Sequence, residues 1–198
     1  MRVRRTAFEI VRLAFCGASL LLGHGAVLAA GAGPLNTALV PFTDGKTGRN
    51  VWLVPGVVKH NNMSTDIRCT SLESPGINID IGVEVFDHDG TQLNAIDGSI
   101  APAGSPCPTG AILGVPAGNT VTIGLTGTAQ LHEDCKITVG TVEQGSARIV
   151  STSTKISCDA FALDDKHAVA DPATQCSTCP PPTITSLKVI KPKKQLGD

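Results

Sequence analysis

Apolar and polar residues alternate along much of the chain with the period of β-strands. The clearest run is residues 77–87, where Ile77, Ile79, Ile81, Val83 and Val85 alternate with Asn78, Asp80, Gly82 and Glu84. Successive strand side chains point to opposite faces, so this spacing predicts one face in a core and the other in water. Asp89-Gly90 offers the positive-φ turn of a hairpin whose return strand would cover residues 91–100. After the turn Pro116-Ala117-Gly118-Asn119, the residues Val121, Ile123 and Leu125 repeat the spacing. Residues 136–142, 146–151 and 154–163 read as further strands, with Gln144-Gly145 and residues 151–154 as connectors.

Earlier in the chain, residues 39–42 and 51–58 are apolar and β-branched. Pro55-Gly56 interrupts the second run, as a bulge or as the point where an edge strand passes between sheets. Residues 66–72 predict a short strand carrying Cys69, and residues 183–190 a last strand after a loop at 171–182. No amphipathic helix and no internal repeat follow residue 30. Short strands rich in Val, Ile and Thr predict an all-β fold, an immunoglobulin- or fibronectin-like antiparallel β-sandwich pinned by disulfides. The simplest organisation is one such domain over residues 31–190 and a basic flexible tail at 191–198. The turn-rich stretch 101–109 (APAGSPCPT) reads as an exposed loop, where a sandwich carries binding sites.

The N-terminus differs in character. Arg2, Arg4, Arg5 and Arg12 precede an apolar stretch at 13–22, and small residues follow at 26–32, the order of a secretory signal peptide. Residues 1–30 are read as that signal, with cleavage expected after Ala30 and with Ala29 and Ala32 as alternatives. An uncleaved anchor is the competing reading, although Gly17, Gly23, His24 and Gly25 dilute the run that would have to span a membrane. Loss of residues 1–30 removes four arginines and Glu9 and takes the formal net charge from −1 to −4. A mildly acidic chain offers no electrostatic footprint for nucleic acid or anionic membrane. Lys188, Lys191, Lys193 and Lys194 form its one basic cluster and read as a solvated end. Trp52, Phe42, Phe86 and Phe161 are the only aromatics after residue 30, too few for an aromatic-rich binding surface.

Six cysteines lie beyond residue 30, an even number, as an oxidising compartment favours. Strand parity puts Cys69 on the face of Ile67, and Cys158 on the face of Ile156 and Ala160, so both look inward. That predicts a Cys69–Cys158 bridge across the two sheets, closing about 90 residues and worth roughly 4–5 kcal/mol of chain entropy. Cys107 would then pair with Cys135 and pin the 101–109 loop to a strand. Cys176 and Cys179 are left to each other as a loop disulfide. Their C-x-x-C spacing is also that of a dithiol redox site, which is the alternative reading of function. Against it, Pro180, Pro181 and Pro182 follow, and then a strand pattern in place of the helix that lowers a reactive thiol's pKa. Zinc would need a second ligand pair, and covalent haem a histidine where Pro180 stands.

Other constellations have plainer explanations. Asp87-His88-Asp89-Gly90 resembles part of a calcium loop, but EF-hand register would make Val85 and Ile96 its end ligands. A tight turn accounts for the same residues. His60, His88, His132 and His167 share no ligand-like spacing. His132-Glu133-Asp134 reads as a polar turn before Cys135, with part of an acid–base site as the alternative. There is no Gly-x-Ser-x-Gly elbow. Asp164 and Asp165 are adjacent and would point to opposite strand faces. Asn62-Met63-Ser64 matches the N-glycosylation pattern. No catalytic residue, metal ligand set or cofactor is assigned.

Arg68-Cys69, the run Gly145-Ser146-Ala147-Arg148-Ile149, and Cys158-Asp159-Ala160 together resemble small exported bacterial β-sandwich proteins of unassigned function. The resemblance implies a sandwich in the cell envelope or outside the cell, and attaches no activity to it. The expectation is therefore a secreted or periplasmic, non-enzymatic binding or envelope-structural module. It would contact a protein partner through loops or an edge strand, with no nucleic acid and no membrane span after signal cleavage. The exposed candidates are the Cys107 loop and the turn at residues 88–90.

Overall fold

The computed structural model describes residues 31–125, 132–164 and 184–192. Among them nine strands form two sheets. They are β1 (Arg49–Lys59), β2 (Met63–Ser71), β3 (Ile79–Phe86), β4 (Ala111–Val115), β5 (Thr120–Gly124), β6 (Cys135–Lys136), β7 (Val142–Ser151), β8 (Ile156–Asp164) and β9 (Ile184–Leu187). One sheet has the order β1-β7-β3-β4 and the other β6-β5-β2-β8-β9. Pairing is antiparallel except between β5 and the two-residue β6. The alternation read from the sequence builds the interface. Ile81, Val83 and Ile149 from the first sheet share a core with Ile67, Ile123 and Ala160 from the second. Burying such side chains is the main favourable term, at about 25 cal/mol per Å² of apolar surface.

β1 lies beside β7 and β8 beside β2, with β3 on the other side of β7 and β5 on the other side of β2. The ribbons β1–β2 and β7–β8 thus run side by side with one strand of each in either sheet. β1 and β2 separate at their turn. His60 and Met63 exchange backbone hydrogen bonds of 3.0 and 2.9 Å around Asn61, which has φ 55°. Thr65 Oγ1 then accepts from Val58 N–H at 2.9 Å and donates to Val58 C=O at 3.1 Å. Both backbone groups that would continue the β1–β2 ladder are satisfied, and the strands part.

The outer face of β3 corrects the expectation that it meets water. All eight of its residues are buried, so Asp80, Gly82 and Glu84 do not face water. The chain from Gly33 to Gly48, a strap containing a single helical turn, α1 (Gly33–Asn36), lies over this sheet. Residues 39–42, expected as a strand, belong to the strap. Phe42 packs with Ile96 and Val150 in a small second core on the outside of the sheet. Gly82 lies beneath it, where a Cβ would collide with Ile96 and crowd Phe42. The alternation was read correctly, but the strap's contact with β3 is non-local.

Three other strands differ from expectation. Residues 91–100 form no hairpin strand beyond a bridge between Phe86 and Gln92. After it, Asn94 fills the exposed edge of β3 with its side-chain amide. Its Oδ1 accepts from Val85 N–H, and its Nδ2 donates to Val83 C=O, both at 2.8 Å. Residues 136–142 contribute only Lys136 to β6, and Gln144-Gly145 lies within β7 rather than between strands. β4 falls where no strand was expected, because Gly110 and Gly114 break its apolar pattern. Pro55-Gly56 is a bulge, with Gly56 at φ 80° and a register shift between Pro55 and Val57.

Candidate functional site: a disulfide-pinned loop beside an edge strand

The structure bonds Cys69 to Cys158 and Cys107 to Cys135. The first bridge has a geometry different from the one expected. Cys69 and Cys158 are register partners on neighbouring strands β2 and β8, with Cα atoms 4.2 Å apart. The bridge therefore ties two strands of one sheet and does not cross between sheets. Both sulfurs do face the core, as parity required, but parity assigns a face and cannot assign a layer. Cys176 and Cys179, with His167 and Asp165, lie outside the described residues. So do residues 1–30, and Lys193 and Lys194.

The second bridge anchors the loop at residues 101–109. Beside it, Cys107 N–H donates to Lys136 C=O at 3.1 Å, and Ser105 Oγ donates to the same oxygen at 2.9 Å. Thr138 N–H donates back to Ser105 Oγ at 3.0 Å. The anchor is itself fixed. Asp134 N–H donates to Thr122 C=O, and Thr122 N–H donates to Asp134 Oδ2, at 2.9 and 2.8 Å. From the other side Asn94 Nδ2 donates to Thr109 C=O at 3.1 Å. The C-terminal half of the loop, from Ser105 to Thr109, is thus held from two sides, while Ala101, Ala103, Gly104 and Pro106 stay exposed.

Its chemistry is apolar and uncharged. No Asp, Glu, Lys or Arg occurs between Asp97 and Glu133. Within that stretch Ile100 is 40% and Leu113 42% exposed. Leu113 lies on β4, the outermost strand of its sheet, directly after the loop. Natural edge strands are usually protected by charge, proline or a covering segment. β4 carries no charge at all. This feature is legible in the sequence as a gap in the charge pattern.

The second expected surface, the turn at residues 88–90, uses its own carboxylates. Asp87 Oδ1 accepts from Asp89 N–H at 3.0 Å, and Asp89 Oδ1 from Thr91 N–H at 2.8 Å. The hydrogen bond with the Asp87 side chain, then those with Thr91, bring the Asp89 carboxyl down to about 2. Gly90, at φ 83°, packs against the strap, and its C=O accepts from Gly33 N–H at 3.1 Å. His88 remains exposed. Asp97 likewise binds Ser99 through its N–H and Oγ at 2.9 and 2.6 Å, which lowers its pKa.

The histidines do not converge. His60 Nδ1 lies 3.2 Å from Glu143, and His132 Nε2 lies 3.3 Å from Asp134. Asp134 Oδ2 is committed to the Thr122 backbone while its Oδ1 faces His132. Among the described residues no three His, Cys, Asp or Glu side chains gather to hold a metal ion. Asn62 is exposed at the tip of the β1–β2 turn, while Ser64 is buried.

The least expected polar cluster is buried. Glu84 and Arg148, register partners on β3 and β7, form an ion pair with side-chain exposures of 0% and 1%. Arg148 also donates to the carbonyls of Pro34, Thr37 and Ala38 in the strap. Glu84 Oε1 accepts from Gln92 Nε2 and Ile96 N–H at 3.0 and 3.3 Å. Asp80, equally buried, receives Lys46 Nζ at 2.9 Å and Gly114 N–H at 2.7 Å. The charges on β3 hold the strap and the 92–96 segment to the sheet. Among the described residues no helix is long and apolar enough to cross a membrane. Comparison with protein-family models, curated proteins and solved structures gives no match.

Proposed function

We infer that the protein is an exported, non-enzymatic β-sandwich that binds a protein partner of the cell envelope through the 101–109 loop and the edge of β4. The observation that carries this reading is the loop's tether. A bridge and hydrogen bonds hold the loop from Ser105 to Thr109, and Ala101, Ala103, Gly104 and Pro106 beside them are presented to solvent. A loop ordered before binding loses little conformational entropy on binding, which favours affinity. Its uncharged surface suits an apolar protein face better than a phosphate, a metal ion or a charged small molecule. Disulfides support an oxidising location outside the cytoplasm, and the signal-like order of residues 1–30 points the same way.

Replacing Cys107 and Cys135 together by Ser tests the reading. The two Ser hydroxyls leave the apolar surface unchanged and release the loop. Partner captured by cross-linking in producing cells should fall about tenfold, as expected when a binding loop loses its preorganisation. An unchanged yield from a folded variant would remove the loop from the interface.

A further inference from the structure

β9 is held in place unlike any other strand. Its first residue, Ile184, is the register partner of Leu163, next to the end of β8. A hairpin joining such neighbours needs about 2–5 residues. Here nineteen residues, 165–183, lie between the two strands. In sequence, the connection is far longer than the pairing of β8 with β9 requires. β9 buries little of itself as well: Ile184, Thr185 and Ser186 are exposed, and Leu187, with Val189 just after the strand, packs on the core.

What β9 covers is the opposite in kind. Its four residues pair with Ala160–Leu163 along the edge of β8, where Ala160, Ala162 and Leu163 are buried. Just beyond, Ile190 and Leu53 exchange two backbone hydrogen bonds of 2.8 Å, so the same segment also bridges the edge of β1 at Leu53. One short segment thus pairs along an edge of one sheet and touches an edge of the other. Unpaired, those edges would be templates for another strand.

We propose that the edges of β8 and β1 form a strand-acceptor site, and that the segment from Ile184 to Ile190 of a second copy of this chain fills it by reciprocal exchange. A second copy is the fitting occupant because it carries the same Leu187 and Val189 for the core and the same hydrogen-bonding register. Every contact of the closed form is regained in the exchanged pair, so the exchange costs little beyond association. The closed form wins at low concentration, and exchange grows as protein concentration approaches the effective concentration of the tethered strand, about millimolar. This surface is independent of the 101–109 loop.

The test uses full-length protein with Cys176 and Cys179 replaced by Ser. Phe161 and Ser186 are register partners on the outer face of the sheet. Phe161→Cys with Ser186→Cys in one chain should close an internal disulfide, and failure to close it would refute the pairing and the proposal together. One copy carrying F161C, mixed with another carrying S186C at high concentration, should form a covalent heterodimer. The control replaces F161C with Lys155→Cys, an exposed position beyond the other end of β8. The expected yield is about tenfold above this control, rising with concentration toward millimolar. A yield equal to the control at every concentration would overturn the proposal. The pair Ala162→Cys and Thr185→Cys, also in register, repeats the test should Phe161 prove necessary for folding.

Discussion

Glu84 and Arg148 face each other in the β3–β7 register and form an ion pair that no solvent reaches. Its position explains why both are there. Arg148 spends its remaining donors on strap carbonyls, and Glu84 spends its second oxygen on the 92–96 segment. The pair is the hub through which two irregular segments are fastened to a regular sheet. Buried ion pairs gain little net stability over apolar packing, yet breaking one is costly because the other charge is left unpaired.

Arg148→Met should therefore destabilise the fold by about 3–5 kcal/mol and free the strap. Arg148→Met with Glu84→Leu should recover part of that loss, since no charge stays stranded. Urea midpoints give the first quantity, and limited proteolysis between residues 33 and 48 reports the second. A double variant less stable than the single would contradict this account of the pair.

Asn94 does the work of a missing strand. Asn94→Ala would leave Val85 N–H, Val83 C=O and Thr109 C=O without their present partners. At about 1–3 kcal/mol for each buried group left unsatisfied, the loss should be at least about 3 kcal/mol. Faster hydrogen exchange at Val85 should accompany it.

How much of this was legible in the sequence depends on the range of the interaction. The inward positions of β3, β5 and β8, the Asp89-Gly90 and Pro116–Asn119 turns and the Pro55-Gly56 bulge follow from local chemistry. The water-facing side assigned to Asp80 and Glu84 was wrong because the strap that covers them is some forty residues away in sequence. The same limit explains the Cys69–Cys158 geometry, since side-chain parity names a face while only β8's pairing with β2 names the sheet. β4 went unread because glycines interrupt a run of only five residues. The uncharged stretch between Asp97 and Glu133 was open to reading, but it becomes informative only when Leu113 is seen on an outer strand.

The two bridges should differ in strength. Their sequence separations are 89 and 28 residues. Chain-entropy reasoning then gives about 4.6 kcal/mol for Cys69–Cys158 and about 3.6 for Cys107–Cys135. Paired Ser substitutions, compared by urea unfolding, should rank in that order. The reverse order would mean that the loop bridge contributes mainly through native contacts.

Acid should weaken the fold in a defined window. Asp89 is lowered to about 2, chiefly by its hydrogen bond with Asp87, and Glu73 is lowered chiefly by Ser153 and then Lys155. Asp44 and Asp97 shift the same way, through Lys46 and Ser99. Folded carboxyls held below their ordinary values of 3.8 and 4.5 contribute stability that is complete above that range. It is lost as pH falls through the lower folded values. The urea midpoint should therefore hold from pH 7 to about 5 and decline toward pH 2, and Asp89→Asn should flatten part of the decline. A midpoint independent of pH across that window would contradict these assignments.

The central claim is that the pinned loop and the β4 edge form the surface a partner touches. Site-specific photo-cross-linking in producing cells tests it most directly, with the photoreactive residue placed at Ala103, at Leu113, or at Lys155 as an exposed position away from that surface. The account predicts the same discrete protein adduct from positions 103 and 113, and none from 155. Adducts equal at all three positions, or absent from both 103 and 113, would contradict it.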